Sequence, residues 1–471
     1  MSAAPAAGAA PRYAWCGDDF TGASDTLATL ERGGLRALLF LDVPTLAQRA
    51  AAGPLDAIGL ATAARAMAPA AMRAALASPA RFLEACGAAV LHYKVCSTFD
   101  SAPQVGNIGE AVRALHRPAY RRWVPVIGGQ PSLGRWCVFG QLFAEAGAGG
   151  PVHRIDRHPT MSRHPVTPMD EADLGVHLSR QGLAPQGAID WRVLEGPAEA
   201  LDARLRAILD GAPDPDAPCV VLFDAMNDAH LAAIGALIAR HAQDAPVLAV
   251  GASSVAQAML AHWGAQRAAP GHDVRSPGAA GARPRAAGPA HAAPPAPVAP
   301  AGGPVFVLAG SLSPRSAEQV DAARAYVRLP LDPACLCEGD AGYLERTVAD
   351  IARTLAGGRH VLATTAPEAG APARAEPLLA PASGALLAAV ARRVRCARIG
   401  VVGGDTSSHA MQALAPWGIG WVGTLGAGGE LLRARADDPA LDGLELMLKG
   451  GQMGRLDILD QLVHGTGDRA R

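Results

Sequence analysis

Gly17-Asp18-Asp19-Phe20-Thr21-Gly22-Ala23-Ser24-Asp25-Thr26 is the stretch on which the reading of this chain turns. An apolar run, 13–16, precedes it, and Ala23, Leu27 and Leu30 recur on one side of the residues that follow. That pattern predicts a strand, a tight turn and an amphipathic helix. Two adjacent carboxylates then sit where a strand ends and a helix begins, the place where open α/β sheets bind ligands. Carboxylates are costly to bury without partners, so the pair points to a site rather than to a core.

Working outward, further apolar runs alternate with helical patterns. Strands are expected at 37–41, 57–60, 90–93, 124–127, 220–223 and 247–250, and again at 305–308, 360–363, 398–402 and 418–422. Helices are expected between them, for example at 317–326, 343–356 and 383–394. Such alternation predicts an α/β fold with mainly parallel sheets flanked by helices. Residues 264–303 are dominated by Ala, Pro and Gly, offer no periodic apolar face, and read as a linker or surface insertion. The expected division is an N-terminal domain over 12–263 and a C-terminal domain over 304–471. Residues 1–11, rich in Ala and Pro, read as a disordered lead-in without the marks of a signal peptide.

With 471 residues, half of them hydrophobic, the chain can bury two or three cores. Its 42 basic and 43 acidic side chains nearly cancel, which argues against nucleic-acid binding by bulk charge. No apolar run reaches membrane-spanning length. Eight cysteines spread over this length form no disulfide or zinc pattern, and a reducing cytoplasm is expected.

Several further stretches carry chemistry. Lys94 ends the apolar run at 90–93 and can neutralise an anion; Ser97, Thr98 and Asp100 follow it, then Gly106-Asn107-Ile108-Gly109. Helix capping is the plain alternative for the hydroxyls and the carboxylate. Gly128-Gly129-Gln130-Pro131-Ser132-Leu133-Gly134-Arg135 also follows a strand, and Arg135 can clamp a carboxylate with two parallel hydrogen bonds. The stretch 154–169 holds Arg154, Arg157, His158, Arg163 and His164 among prolines, and reads as an ordered cationic loop over an anionic site. No metal-ligating set is expected. Gly251-Ala252-Ser253-Ser254, Gly310-Ser311-Leu312-Ser313 and Gly403-Gly404-Asp405-Thr406 each place glycine and hydroxyl residues after a strand, where backbone amides and a helix dipole receive phosphate. Lys449 stands beside Gly450-Gly451-Gln452-Met453-Gly454. None of these matches the P-loop or the dinucleotide fingerprint. The order Asp18-Asp19-Phe20-Thr21 also lacks the Asp-x-Asp-x-Thr of an aspartyl phosphatase.

The ordered series, from Asp18-Asp19-Phe20-Thr21-Gly22-Ala23 through 93–100, 106–109, His164-Pro165-Val166-Thr167-Pro168-Met169 and Gly403-Gly404-Asp405-Thr406-Ser407 to Leu448-Lys449 and Gly454, resembles the four-carbon acid sugar kinase family. The resemblance implies an acid-sugar-binding N-terminal domain, an ATP-binding C-terminal domain and an active site in the cleft between them. It implies phosphorylation of the terminal C4 hydroxyl of an acid such as 3-oxo-tetronate, threonate or erythronate, with ATP and Mg²⁺. Asp18 and Asp19 would be catalytic; which of them takes the proton stays open. Thr21, Gly22, Lys94, Ser97, Thr98, Asp100, Asn107, Arg135 and His164 would face the sugar. Ser253, Ser311, Gly403, Gly404, Asp405, Thr406, Gly451 and Gly454 would face the nucleotide. A homodimer, and no nucleic-acid or membrane partner, go with the same reading. Its rivals are a non-catalytic sensor of nucleotide and acid sugar, and an ATP-independent acid-sugar isomerase or aldolase.

Overall fold

In the computed structural model, residues 10–147, 149–163, 167–214, 217–268, 297–311, 313–365, 378–426, 429–451 and 453–467 are described. Strands occur at Tyr13–Gly17 (β1), Ala37–Phe40 (β2), Ala57–Ala61 (β3), Val90–Lys94 (β4), Trp123–Ile127 (β5), Gly129–Gln130 (β6), Arg135–Val138 (β7), Gln141–Glu145 (β8), Val152–Arg154 (β9), Gly187–Ile189 (β10), Cys219–Phe223 (β11), Val247–Gly251 (β12), Val305–Ala309 (β13), Tyr326–Pro330 (β14), His360–Thr364 (β15), Arg398–Val402 (β16), Gly418–Thr424 (β17), Glu430–Arg435 (β18) and Glu445–Lys449 (β19). The chain folds into two units, one of Met1–Ala37 with Gly53–Pro294 and one of Leu38–Ala52 with Pro295–Arg471. The fold is α/β, as the alternation predicts.

In the first unit the strand order is β10-β11-β5-β12-β4-β1-β3, all parallel. Its central strands are buried along their whole length, which is why they read as short continuous apolar runs. A second sheet, β6-β7-β8-β9, is an antiparallel meander. The sequence reading misses it, because its strands are short and half-exposed.

The second unit has the order β2-β17-β18-β19-β16-β13-β15-β14. Strands β19 to β14 are parallel, and β2, β17 and β18 add antiparallel pairings. Strand β2 and the helix Leu46–Ala52 come from far earlier in the sequence. Phe40 stacks on Trp417, and Gln48 donates to Asp437. The helix expected at 317–326 instead spans Pro314–Ala322. Asp460 takes the backbone amides of Arg324 and Ala325, and Tyr326 already belongs to a strand, its hydroxyl donating to Leu459 O. The expected linker is structured at both ends. The helix Ser254–Ala268 runs into it, and Val298 is core, exchanging hydrogen bonds with Thr466.

Candidate active site

Register puts the C-terminal ends of five strands level in the first unit. Gly17 pairs with Ala61 and Lys94, Lys94 with Gly251, and Gly251 with Ile127. The polar residues gather just beyond that line. Asp18 is 4% exposed. Asp19 caps the helix Phe20–Arg32, its Oδ1 accepting from Gly22 N at 2.7 Å, which satisfies one of the orphan amides of a helix start.

The structure supplies a partner that sequence reading did not find. Arg65, in a short turn after β3, forks across both aspartates. Its Nε and Nη2 donate to Asp18 at 3.0 and 2.7 Å, and its Nη1 donates to Asp19 Oδ2 at 2.7 Å. Backbone bonds hold the arrangement: Arg65 N donates to Asp18 O, and the Thr62 hydroxyl donates to Gly17 O. Burial pushes the Asp18 carboxyl above its usual range, and the Arg65 charge works against that shift. No motif surrounds Arg65. The one signal was an arginine just past an apolar run that the parallel pairing of β3 with β1 makes a neighbour.

Lys94 is 3% exposed and its ammonium donates to Val95 O at 2.7 Å. A methyl group added at Gly22 would stand 2.6 Å from Asp19 Oδ1 and 2.7 Å from Lys94 Nζ. The glycine therefore makes room for cation and carboxylate side by side. Thr21 lies half-buried on the same first turn. Beyond Lys94, the Thr98 hydroxyl donates to Asp100 Oδ1 at 2.6 Å and meets the Cys96 thiol at 3.0 Å. Between them Phe99 is buried with φ 57°, a conformation disfavoured for a bulky residue. Ser101 and His177 both donate to its carbonyl. Ser97 is half-buried in the same loop.

Three expected roles in this unit change. Asn107 caps the helix Ile108–Leu115, accepting from Glu110 N and donating to Pro103 O, so its amide is spent on the backbone. Ser253 is fully buried and belongs to the first unit; its hydroxyl donates to Asp25 at 2.5 Å and meets Thr26 at 3.0 Å. A hydroxyl so enclosed leaves nothing for a nucleotide. In the stretch 154–169, Arg154 pairs with Asp156, and His158 is buried with Nε2 donating to Glu145 O and Nδ1 accepting from Thr160 N and Met161 N. That ring serves the loop. His164 lies outside the described residues. Arg135 turns onto its own loop, Nη1 donating to Leu133 O, while its buried Nε has no partner among the described residues.

In the second unit three turns converge after the adjacent strands β13, β16 and β19. A Cβ at Gly310 would stand 2.3 Å from Thr406 Oγ1, and one at Gly451 would stand 2.3 Å from Ser311 Oγ. Gly403, at φ 125°, lies against Ser311 and opens the helix Gly404–Leu414. Ser313 and Ser316 both donate to Gly451 O. Asp405 is exposed on the first helical turn, and the buried Ser407 hydroxyl beside it has no partner among the described residues. Gly454, at φ 93°, packs on Ile458 and Gln319. Lys449 is 1% exposed and donates to Gly450 O; burial, with the Arg315 charge, brings its ammonium down to about 8. Glycine amides, a helix start and a buried lysine together suit a polyanion.

Among the described residues, no group of three or more His, Cys, Asp or Glu could hold a metal ion, and no helix is long and apolar enough to cross a membrane. Residues 13–259 match the family described as a sugar-binding N-terminal domain, and residues 306–459 the one described as a nucleotide-binding C-terminal domain. A 3-oxo-isoapionate kinase of Paraburkholderia graminis is 35% identical over 475 residues, covering 96% of this chain and 94% of the relative. A 3-oxo-tetronate kinase of Methylobacterium radiotolerans is 34% identical over 462 residues, covering 95% and 97%. A Salmonella typhimurium LT2 structure, labelled a tRNA synthase, aligns over 95% of this chain and 98% of its own with TM-score 0.73 at 22% identity. A Haemophilus influenzae structure aligns over the same shares with TM-score 0.67. These two likenesses carry the fold alone. With both halves matched to a sugar-binding and a nucleotide-binding domain, and with kinases as full-length relatives, the chain belongs to the four-carbon acid sugar kinase family.

Proposed function

We propose that this kinase transfers the γ-phosphoryl group of ATP to the terminal C4 hydroxyl of a four-carbon acid sugar, with a 3-oxo acid such as 3-oxo-tetronate as the first candidate. The observation that carries the reading is the Asp18–Arg65–Asp19 clamp with Lys94 across Gly22. Phosphoryl transfer asks the protein mainly for positioning and charge neutralisation. Asp19 is the base in this reading. Both oxygens of Asp18 are taken by one guanidinium in a buried fork, whereas the Asp19 side chain keeps 26% of its surface exposed. Asp19 would orient the attacking hydroxyl and take its proton late, while Arg65 holds the two carboxylates apart from each other's charge. Lys94 and Arg135 would neutralise the acid's carboxylate.

The glycine turns of the second unit, with Lys449 and the orphaned Ser407 hydroxyl, would hold the phosphates. Mg²⁺ usually keeps several waters and takes one or two carboxylates beside the substrate phosphates; the exposed Asp405 suits that donor set. The ion would offset charge on the triphosphate. Cys16, Cys96, Cys137, Cys219, Cys335 and Cys396 are free thiols, which supports a reducing, cytoplasmic setting.

The test is ADP release from the purified protein with ATP, with and without EDTA, over 3-oxo-tetronate, 3-oxo-isoapionate, threonate and erythronate. Release that requires both an acid and a divalent cation is expected. A sensor would bind without releasing ADP, and an isomerase or aldolase would convert the acid without ATP. A second expectation concerns Gly22→Ala. Its new methyl displaces the Asp19 and Lys94 side-chain ends by roughly an ångström, and misplacement of that size costs about 10²-fold in rate. Because those ends are flexible, the melting temperature should stay near wild type. Unchanged kcat in this variant would remove Asp19 and Lys94 from the reacting centre.

A further inference from the structure

We infer that Gln319, with Ser316 on the same face of its helix, is a positioning residue for the nucleotide: it turns the loop 451–456 so that consecutive backbone amides face the phosphates. This rests on the assignment of the glycine turns to the phosphates above and adds residues that it does not use.

The loop follows β19 and is held by its carbonyls. Gln319 is fully buried. Its Nε2 donates to Met453 O at 3.0 Å and to Arg455 O at 2.9 Å, which uses both amide protons. Between those two, Gly454 O accepts from Arg315 Nε at 3.1 Å. Ser316 stands three residues before Gln319, on the same helix face, and its hydroxyl donates to Gly451 O at 2.9 Å. One helix, Pro314–Ala322, thus takes four carbonyls of the loop. The approach is close. A Cβ at Gly454 would stand 3.1 Å from Gln319 Nε2, and the φ of 93° there suits glycine.

Peptide geometry decides what the other side of the loop presents. A peptide unit is planar and trans, so each N–H points opposite to the carbonyl that precedes it. With the carbonyls of Met453, Gly454 and Arg455 on the helix, the amides of Gly454, Arg455 and Leu456 face away from it. None of the three donates to another described residue, and Met453, Arg455 and Leu456 are exposed. Successive amides turned one way form an anion-binding concavity. Such a row only donates, which selects phosphate oxygens over a base or a ribose ring. Gln319 itself is enclosed, so it acts on the phosphates through the loop.

The experiment measures the KM for ATP, the KM for the acid and the inhibition constant of adenosine against ATP, in wild type, Gln319→Met and Ser316→Ala. Methionine keeps the length of the side chain and loses both donors; Ser316→Ala removes one donor and serves should the methionine variant not fold. Gln319→Met should raise the KM for ATP about 10-fold, because a loop competent for only part of the time lowers apparent affinity by that fraction. Ser316→Ala leaves Ser313 on Gly451 O, and the rise there should be about 3-fold. Adenosine carries no phosphate and should inhibit both variants as it does wild type, and the KM for the acid should stay unchanged. A wild-type KM for ATP in the folded variants overturns the assignment. Equal weakening of ATP and adenosine also overturns it, since that marks general damage to the unit. Wild type that binds adenosine as well as ATP sinks the assignment of the turns to the phosphates, a distinct outcome.

Discussion

Asp19→Asn should lower kcat by about 10³-fold, within the 10²–10⁴ range that a positioned base contributes, while ATP still binds. The substitution keeps the side chain's shape and its cap on the helix, because the amide oxygen can accept from Gly22 N as Oδ1 does now. What it removes is the Oδ2 oxygen that faces Arg65 and, with it, the negative charge that can take a proton. The companion variant Asp18→Asn should fall by less in kcat, since Asp18 spends both oxygens on Arg65. Rapid-quench or coupled-assay kinetics separate the two, and equilibrium binding of ATP tests that the nucleotide unit is intact. If Asp19→Asn turns over like wild type, neither the base assignment nor the clamp as reacting centre survives.

Arg65→Leu should be the most destabilising of the changes considered. It leaves Asp18 buried with its countercharge gone, and breaking a buried pair by removing one partner costs about 3–5 kcal/mol. The lower end of that range shifts the melting temperature of a unit of this size by roughly 6–12 °C, measurable by differential scanning fluorimetry. Adding Asp18→Asn to Arg65→Leu should recover part of the loss, because the unpaired charge is then absent. The pH dependence has a definite sign. Burial raises the folded pKa of Asp18, and loss of Arg65 raises it further. The folded state then binds a proton that the unfolded state has already released. Stability of the variant is therefore greatest below the unfolded carboxylate pKa and falls as pH rises through the raised folded value. A melting temperature that climbs with pH over that window would contradict the clamp.

Much of this was legible in the chain itself. The strand before Asp18, the helix after it and the glycine turns at 310, 403 and 451 were readable because buried parallel strands are short apolar runs and helices begin with glycine and hydroxyl residues. Arg65 was not, since its partners stand 46 and 47 positions away and only the pairing of β3 with β1 brings them together. Ser253 and Asn107 show the converse limit. A hydroxyl or amide at a strand end looks the same in sequence whether it meets a ligand, a buried carboxylate or a bare helix start. Strands β14, β18 and β19 escaped because their residues alternate in exposure or carry charge, as in Glu430–Arg435.

Strand β2 carries an implication for how the protein is made. A chain emerging from the ribosome N-terminus first delivers Leu38–Ala52 long before Gly418–Thr424, the strand with which β2 pairs. The sugar-binding unit can close around its own sheet while this loop of chain waits, its strand edge unsatisfied, for a partner still to be synthesised. An open strand edge is a template for wrong pairing. Synthesis that stalls before Gly418 would therefore release a product whose first unit is complete and whose surface carries an adhesive edge.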